Sequence, residues 1–193
     1  MDIFKARNIT NLERGKFSAL LGEAHQHIIA GLLMRAGFFV AAAPVRTEPY
    51  DLIVIAYRDH KNRPDEKVLL RTQCRTVSKG KSLRLVGGVR AGIDRDYRHP
   101  SPKEYKYTEE HNDLIVAIDE DDFSLYIVPT RLTKGWGKSV SIHKLELFRN
   151  RFDLLLNWRD EYLEQCSSGS LTENLLSEQT SLGLLEEQDS HCA

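Results

Sequence analysis

Four side chains in the first 75 residues have the types and spacing to build a cation site beside a phosphate clamp: Glu23, Asp51, Gln73 and Arg75. Glu23 lies at the border of the apolar stripe of a helix-patterned segment. Asp51 opens a strand-patterned segment, and Gln73 and Arg75 share one face of the next. If those two strands form a hairpin, Asp51 stands beside the Gln73/Arg75 face, and a helix packed on the sheet could present Glu23. Two carboxylates converging with a side-chain carbonyl suit a hard divalent cation such as Mg²⁺, which takes oxygen ligands and keeps several waters. A positive side chain beside them could neutralise a phosphate in flight.

The elements that must position these residues follow from periodicity. Apolar side chains at Phe17, Leu20, Leu21, Ala24, Ile28, Leu32 and Leu33 predict a helix from about Asn11 to Ala36, with Thr10 or Asn11 as N-cap and Gly37 as its stop. Phe38 to Ala43 reads as a strand stopped by Pro44. Asp51 to Tyr57 reads as a second, with Leu52, Val54 and Ala56 on one face. Val68 to Val77 is a third, in which Leu70, Thr72 and Cys74 alternate with Arg71, Gln73 and Arg75. The polar stretch Arg58 to Lys67 has the character of a hairpin loop. Ser78 to Glu110 is basic, contains Gly and Pro and lacks periodicity, so loop with short strands at most is expected. Asp113 to Ile118 and Ser124 to Pro129 bracket an acidic turn and predict a second hairpin, and His143 to about Gln165 returns to helical spacing. No repeat is visible; helix, strands, basic loop, strands, helix predicts a mixed α/β or α+β core.

The chain of 193 residues has a formal net charge of −1, with 27 Lys or Arg against 28 Asp or Glu, but the charges are unevenly spread. From Glu161 onward there are seven acids and no Lys or Arg, so the first 160 residues hold 27 basic against 21 acidic side chains, a balance of +6. Between Arg58 and Lys106, fourteen basic residues face six acids. The expectation is one basic domain over 1–165, suited to a polyanionic partner, and an acidic tail over 166–193 whose composition predicts disorder. No apolar run approaches the roughly 20 residues that cross a bilayer, and the N-terminus lacks the apolar stretch of a secretory signal, so a soluble intracellular protein is expected. Cys74, Cys166 and Cys192 lack metal-type spacing, which argues against a zinc finger or a disulfide framework; the last two fall in a segment read as unstructured.

Gly22-Glu23, then Gly37-Phe38-Phe39-Val40, then Pro44 to Asp51, then Gln73-Cys74-Arg75, with Tyr107 to Asp113 and Tyr126-Ile127-Val128-Pro129 beyond, resembles the PD-(D/E)XK nuclease superfamily over roughly residues 15–130. It is most similar to the intron-encoded homing endonucleases and the relatives of archaeal junction resolvases. The resemblance implies a restriction-endonuclease-like core, a mixed β-sheet flanked by helices, and Mg²⁺- or Mn²⁺-dependent endonuclease cleavage of double-stranded or branched DNA. It implies that Asp51 ligates the metal directly, that Glu23 positions it directly or through water, that Gln73 and the backbone carbonyl of Cys74 complete the ligands, and that Arg75 contacts the scissile phosphate. Two active sites for two strands imply a homodimer or homotetramer, and the expected setting is cytoplasmic, prokaryote-like or organellar. Gln73 replaces an acid, removing a negative charge while keeping an oxygen donor. Arg75 replaces a lysine: it stays protonated, so it can stabilise a pentavalent phosphate but cannot take a proton from water. The alternative is therefore a catalytically impaired relative that acts as a DNA-binding protein.

Lys79, Lys81, Arg84, Arg90, Arg95 and Arg98, with Tyr97, Tyr105 and Tyr107 nearby, would track phosphates without sequence preference. Trp136 in KGWGK is either a second DNA-contacting turn or a flexible hairpin tip. His25 and His27 cannot chelate as a pair, because positions i and i+2 do not share a helix face, and are read as packing or surface residues. Asp113, at the start of a buried strand, is read as structural. Plainer readings stay open for the main candidates: Glu23 as a solvated side chain, Asp51 as a turn former after Pro49, Gln73 and Arg75 as an exposed strand face. A third class, an RNA-binding or protein-interaction module, would use them that way.

Overall fold

The computed structural model describes residues 7–44, 48–59, 63–77, 82–87 and 104–167. Helix α1 spans Arg14–Arg35 and starts later than its expected caps allow. Asn11 takes a left-handed φ of 50°, and Asn8 folds a turn by accepting from the Leu12 N–H at 2.8 Å, so neither Thr10 nor Asn11 caps the helix. The stop at Gly37 is as expected. Gly37 has φ 93°, its N–H reaches the Met34 carbonyl, and the Phe38 N–H reaches the Leu33 carbonyl, the paired bonds of a Schellman ending. Phe38 and Leu33 are both buried there.

Five strands form one mixed sheet among the described residues, in the order β1 (Val40–Ala42), β2 (Leu52–Asp59), β3 (Arg63–Val77), β7 (Leu114–Asp119) and β8 (Leu125–Pro129). β2 and β3 are antiparallel with Leu52 opposite Thr72, so the expected hairpin is present; its strands run far into the stretch read as loop. Leu52, Val54 and Ala56 are buried, as their alternation requires. β7 runs parallel to β3 with Ile115 opposite Gln73, and β8 closes antiparallel on β7. Every residue of β7 and β8 is buried, which matches their continuous apolar sequences.

Short strands stand apart from this sheet. β4 (Ser82–Arg84) pairs with β9 (Ser139–Ser141), and β5 (Val86–Gly87) pairs with β6 (Tyr105–Lys106). The single helix expected from His143 to Gln165 is instead four pieces: α2 (Ile142–Leu145), a 3₁₀ turn (Glu146–Phe148), α3 (Asp153–Leu156) and α4 (Asp160–Ser167). The break has a local cause. Asn150 adopts φ 52°, its N–H donates to the Leu125 carbonyl and its Oδ1 accepts the Leu125 N–H, so this stretch is pulled out to lie beside β8, where Arg149 bridges Tyr126. Cys166, expected in a flexible segment, is 1% exposed in α4, with its sulfur 3.2 Å from the Arg151 guanidinium. Asp153 accepts from that same Arg151 and from the Tyr162 hydroxyl, which ties α4 to α3. No helix among the described residues is long and apolar enough to cross a membrane.

Candidate active site

Asp51 sits where β2 begins and its backbone is held on both sides. Its N–H donates to the Thr72 carbonyl, and its own carbonyl accepts from Ala43. The regular ladder between β2 and β3 ends at Leu52, and beyond the Asp51 N–H no β2 backbone group reaches Cys74, which would leave the Cys74 N–H open at that edge. The Asp51 carboxylate fills the gap, with Oδ2 accepting from Cys74 N at 2.8 Å. The same oxygen accepts from the Gln73 amide nitrogen, which also lies 3.3 Å from the Cys74 carbonyl. Two oxygens, one carboxylate and one backbone carbonyl, thus converge on a single amide N–H donor group. Gln73 is 4% exposed, so it is fixed in this position by burial as well as by hydrogen bonds.

Arg75 follows on the same face. Its Nη1 lies 3.4 Å from the Cys74 carbonyl, its Nη2 donates to the Val86 carbonyl at 3.3 Å, and its guanidinium carbon stands 4.9 Å from the centre of the Tyr107 ring. Tyr107 is buried, so it is a wall of the site and not the exposed DNA-facing aromatic its surroundings in sequence suggested. Burial pushes the Cys74 thiol well above its ordinary pKa, the Asp51 carboxylate adds to this, and the Arg75 charge offsets part of it. That thiol is a packing group, and only its backbone faces the site.

Glu23 is placed differently. The buried stripe of α1 is His25, Ile29 and Leu33, and His25 Nδ1 shares a 2.8 Å hydrogen bond with Thr76 Oγ1. Alternation along β3 puts Thr76 on the face opposite Gln73 and Arg75. Glu23 stands on the flank of that stripe, 48% exposed, with its carboxylate 3.8 Å from the more exposed His27 ring. The structure therefore brings Asp51, Gln73, Cys74 and Arg75 together and leaves Glu23 on the helix behind that strand.

The neighbouring contacts are structural. Asp113 takes a two-pronged grip from Arg71, with Nη2 to Oδ1 at 2.9 Å and Nε to Oδ2 at 3.1 Å, while the remaining Arg71 donors close on the Glu109 and Glu110 carbonyls. This locks the turn before β7 onto β3, in keeping with the structural reading of Asp113. Trp136 packs edge-on against Phe148 at 6.2 Å under Lys144, which makes it part of the core's rim and not a free hairpin tip. Of the basic residues read as phosphate-tracking, Arg84 is exposed in β4 and pairs with Glu104 at 3.6 Å. Lys79, Lys81, Arg90, Arg95 and Arg98, with Tyr97 and the acidic stretch 168–193, lie outside the described residues.

The donor set fits a hard divalent cation. A carboxylate, a backbone carbonyl and an amide able to present oxygen meet at one point, and the amide dipole already supplies positive charge there. No family model matches the chain, and no curated protein matches it. Among solved structures, the bacterial homing endonuclease I-Ssp6803I is similar to it at a TM-score of 0.52 and 17% identity, covering 72% of this chain and 92% of that one. The class so defined is a mixed α+β domain whose five-stranded sheet is flanked by helices, a fold similar to that of this nuclease.

Proposed function

We propose that the protein is a Mg²⁺- or Mn²⁺-dependent endonuclease that hydrolyses phosphodiester bonds in double-stranded or branched DNA. The observation that carries this is the convergence of the Asp51 carboxylate and the Cys74 carbonyl on one point, beside a fixed guanidinium, in a fold shared with a homing endonuclease. Asp51, the Cys74 carbonyl and the Gln73 amide, turned to present its oxygen, would hold the cation, and Glu23 would approach from α1 through water. When bound, such a cation polarises a phosphoryl oxygen and lowers the pKa of its water towards neutrality.

The chain's own residues do the rest. Asp51 carries the negative charge that offsets the cation, and its contact with the Cys74 N–H keeps that charge aimed at the site. Arg75 sits where a phosphate would lie and stabilises the charge that builds on it in the transition state. It cannot serve as a base, because a guanidinium does not deprotonate near neutral pH. Removal of the water's proton therefore falls to a group other than Arg75.

The test is cleavage of supercoiled plasmid with Mg²⁺ or Mn²⁺ by the wild type, Asp51→Ala and Arg75→Lys. Cleavage lost in the first variant and kept or enhanced in the second supports the proposal. Cleavage by Arg75→Lys alone would replace it with the impaired, DNA-binding relative, the reading favoured by the departure from lysine at position 75. DNA binding that does not respond to salt would rule out both.

A further inference from the structure

Arginine is a long side chain that carries considerable rotamer entropy, so a guanidinium at position 75 serves as a phosphate clamp only if something holds it. The carbonyls of Cys74 and Val86 and the face of Tyr107 all meet it. Two of them come from segments remote in sequence. Val86 lies on β5 and Tyr107 follows β6, the two strands that pair beside the site. The ring itself is fixed. Tyr107 is 3% exposed, its N–H donates to the Leu85 carbonyl at 3.0 Å, and Tyr105 meets it edge-on at 5.9 Å. Gly87 is part of this support, because a Cβ there would come within 2.9 Å of the Tyr105 and Tyr107 hydroxyl oxygens. The close approach of β5 to both rings thus requires a residue without a side chain.

We infer that Tyr107 is the positioning residue for Arg75: its ring face and the Val86 carbonyl orient the guanidinium toward the scissile phosphate. The inference rests on the nuclease reading for its consequence, but not for its geometry. The ring attracts the cation through its negative face, and both carbonyls accept from the two ends of the guanidinium, so the side chain enters the reaction already oriented. Nothing about Tyr107 requires contact with DNA.

Two readouts separate this role from plain packing. In the folded protein the Arg75 guanidinium carbon stands 4.9 Å from the Tyr107 ring centre, so the Nε–H and δ-methylene protons next to it should resonate upfield in NMR spectra, as assigned by their disappearance in Arg75→Lys. That shift should vanish in Tyr107→Leu and return in Tyr107→Phe. In plasmid cleavage, Tyr107→Leu should lower kcat about tenfold with KM for DNA held within about twofold, Tyr107→Phe should restore it, and the leucine change should add nothing in an Arg75→Gln background. Should Tyr107→Leu fail to fold, Gly87→Ala, whose Cβ presses on the Tyr105 and Tyr107 hydroxyl ends while Arg75 and Tyr107 themselves are retained, is read in the same way. An Arg75 signal that stays shifted upfield in a folded Tyr107→Leu or Gly87→Ala protein overturns the inference, as does a further loss in the Arg75→Gln background. If the wild type does not cut, the nuclease reading fails, and the NMR arm still decides whether Tyr107 positions Arg75.

Discussion

The sheet has two halves that differ in what covers them. In β7 and β8 every residue is buried, with Leu114, Ile115, Val116, Ala117, Ile127 and Val128 all at 0% exposure. On β1 to β3 the face that carries Gln73 and Arg75 lies partly open: Phe39 is 63% and Leu69 68% exposed, in line across Ile55. Asp51, Gln73 and Arg75 sit at the border between the two, where the segment around Val86 and Tyr107 begins to cover the sheet. The covered half supplies rigidity and the border supplies access. A site that must admit a DNA backbone needs both, since a fixed constellation in a fully buried place would be unreachable and an exposed one would lack orientation.

Changes that break the covered half should have the largest effect. Ile115→Ala, beside Gln73 in the neighbouring strand, should cost about 2–5 kcal/mol in urea unfolding, through lost burial and the cavity left behind. At the border, Asp51→Ala should reduce plasmid cleavage by about 100-fold or more, equivalent to about 2.7 kcal/mol in activation free energy. The same change should lower stability by about 1–2 kcal/mol in thermal unfolding, because the Cys74 N–H loses its acceptor. A Mg²⁺-induced rise in melting temperature should be present in the wild type and absent in that variant.

Smaller effects sharpen the comparison. Asp113→Asn weakens the partly exposed grip of Arg71 and should cost about 1 kcal/mol in denaturant unfolding, with cleavage reduced only as far as β3 loosens. His25 tests the packed face with a definite sign. Burial holds its imidazole below the ordinary value of 6.5, with the Glu120 carboxylate opposing. The folded state therefore binds this proton less readily than the unfolded one, so its contribution is present above pH 6.5 and is lost as the pH falls below it. The urea midpoint should drop between pH 7.5 and 5.5 by more in the wild type than in His25→Gln. The smallest effect belongs to the open face, where Phe39→Ser or Leu69→Ser should change stability by no more than about 0.5 kcal/mol in the same assay.

The local order of the fold was legible because it is written in short-range patterns. Alternation at Leu52, Val54 and Ala56 and at Leu70, Thr72 and Cys74 predicts two strands with matching faces, and the hairpin between them puts Asp51 beside Gln73. The continuous apolar runs of β7 and β8 predict a second pair, and Gly37 marks the helix stop. The C-terminal segment was misread because its apolar spacing suits one helix, whereas Asn150 is claimed by Leu125, 25 residues away, and that bond outweighs the local preference. Cys166 was misplaced for a related reason: the acidic, Lys- and Arg-free composition around it resembles a tail, but Arg151 and a buried core face stand ready to receive it.

By itself, then, the sequence determined the strands, their faces, the adjacency of Asp51 with Gln73 and Arg75, and the likeness to nucleases, all of which depend on residues close together or on one hairpin. Only the tertiary structure decided that the Asp51 carboxylate completes the edge of β3, that α1 docks on the face opposite Gln73, and that Tyr107 lies under Arg75. Those outcomes turn on which face of the sheet each remote segment covers. That is a competition among long-range burials, and the pattern within any one segment does not encode it.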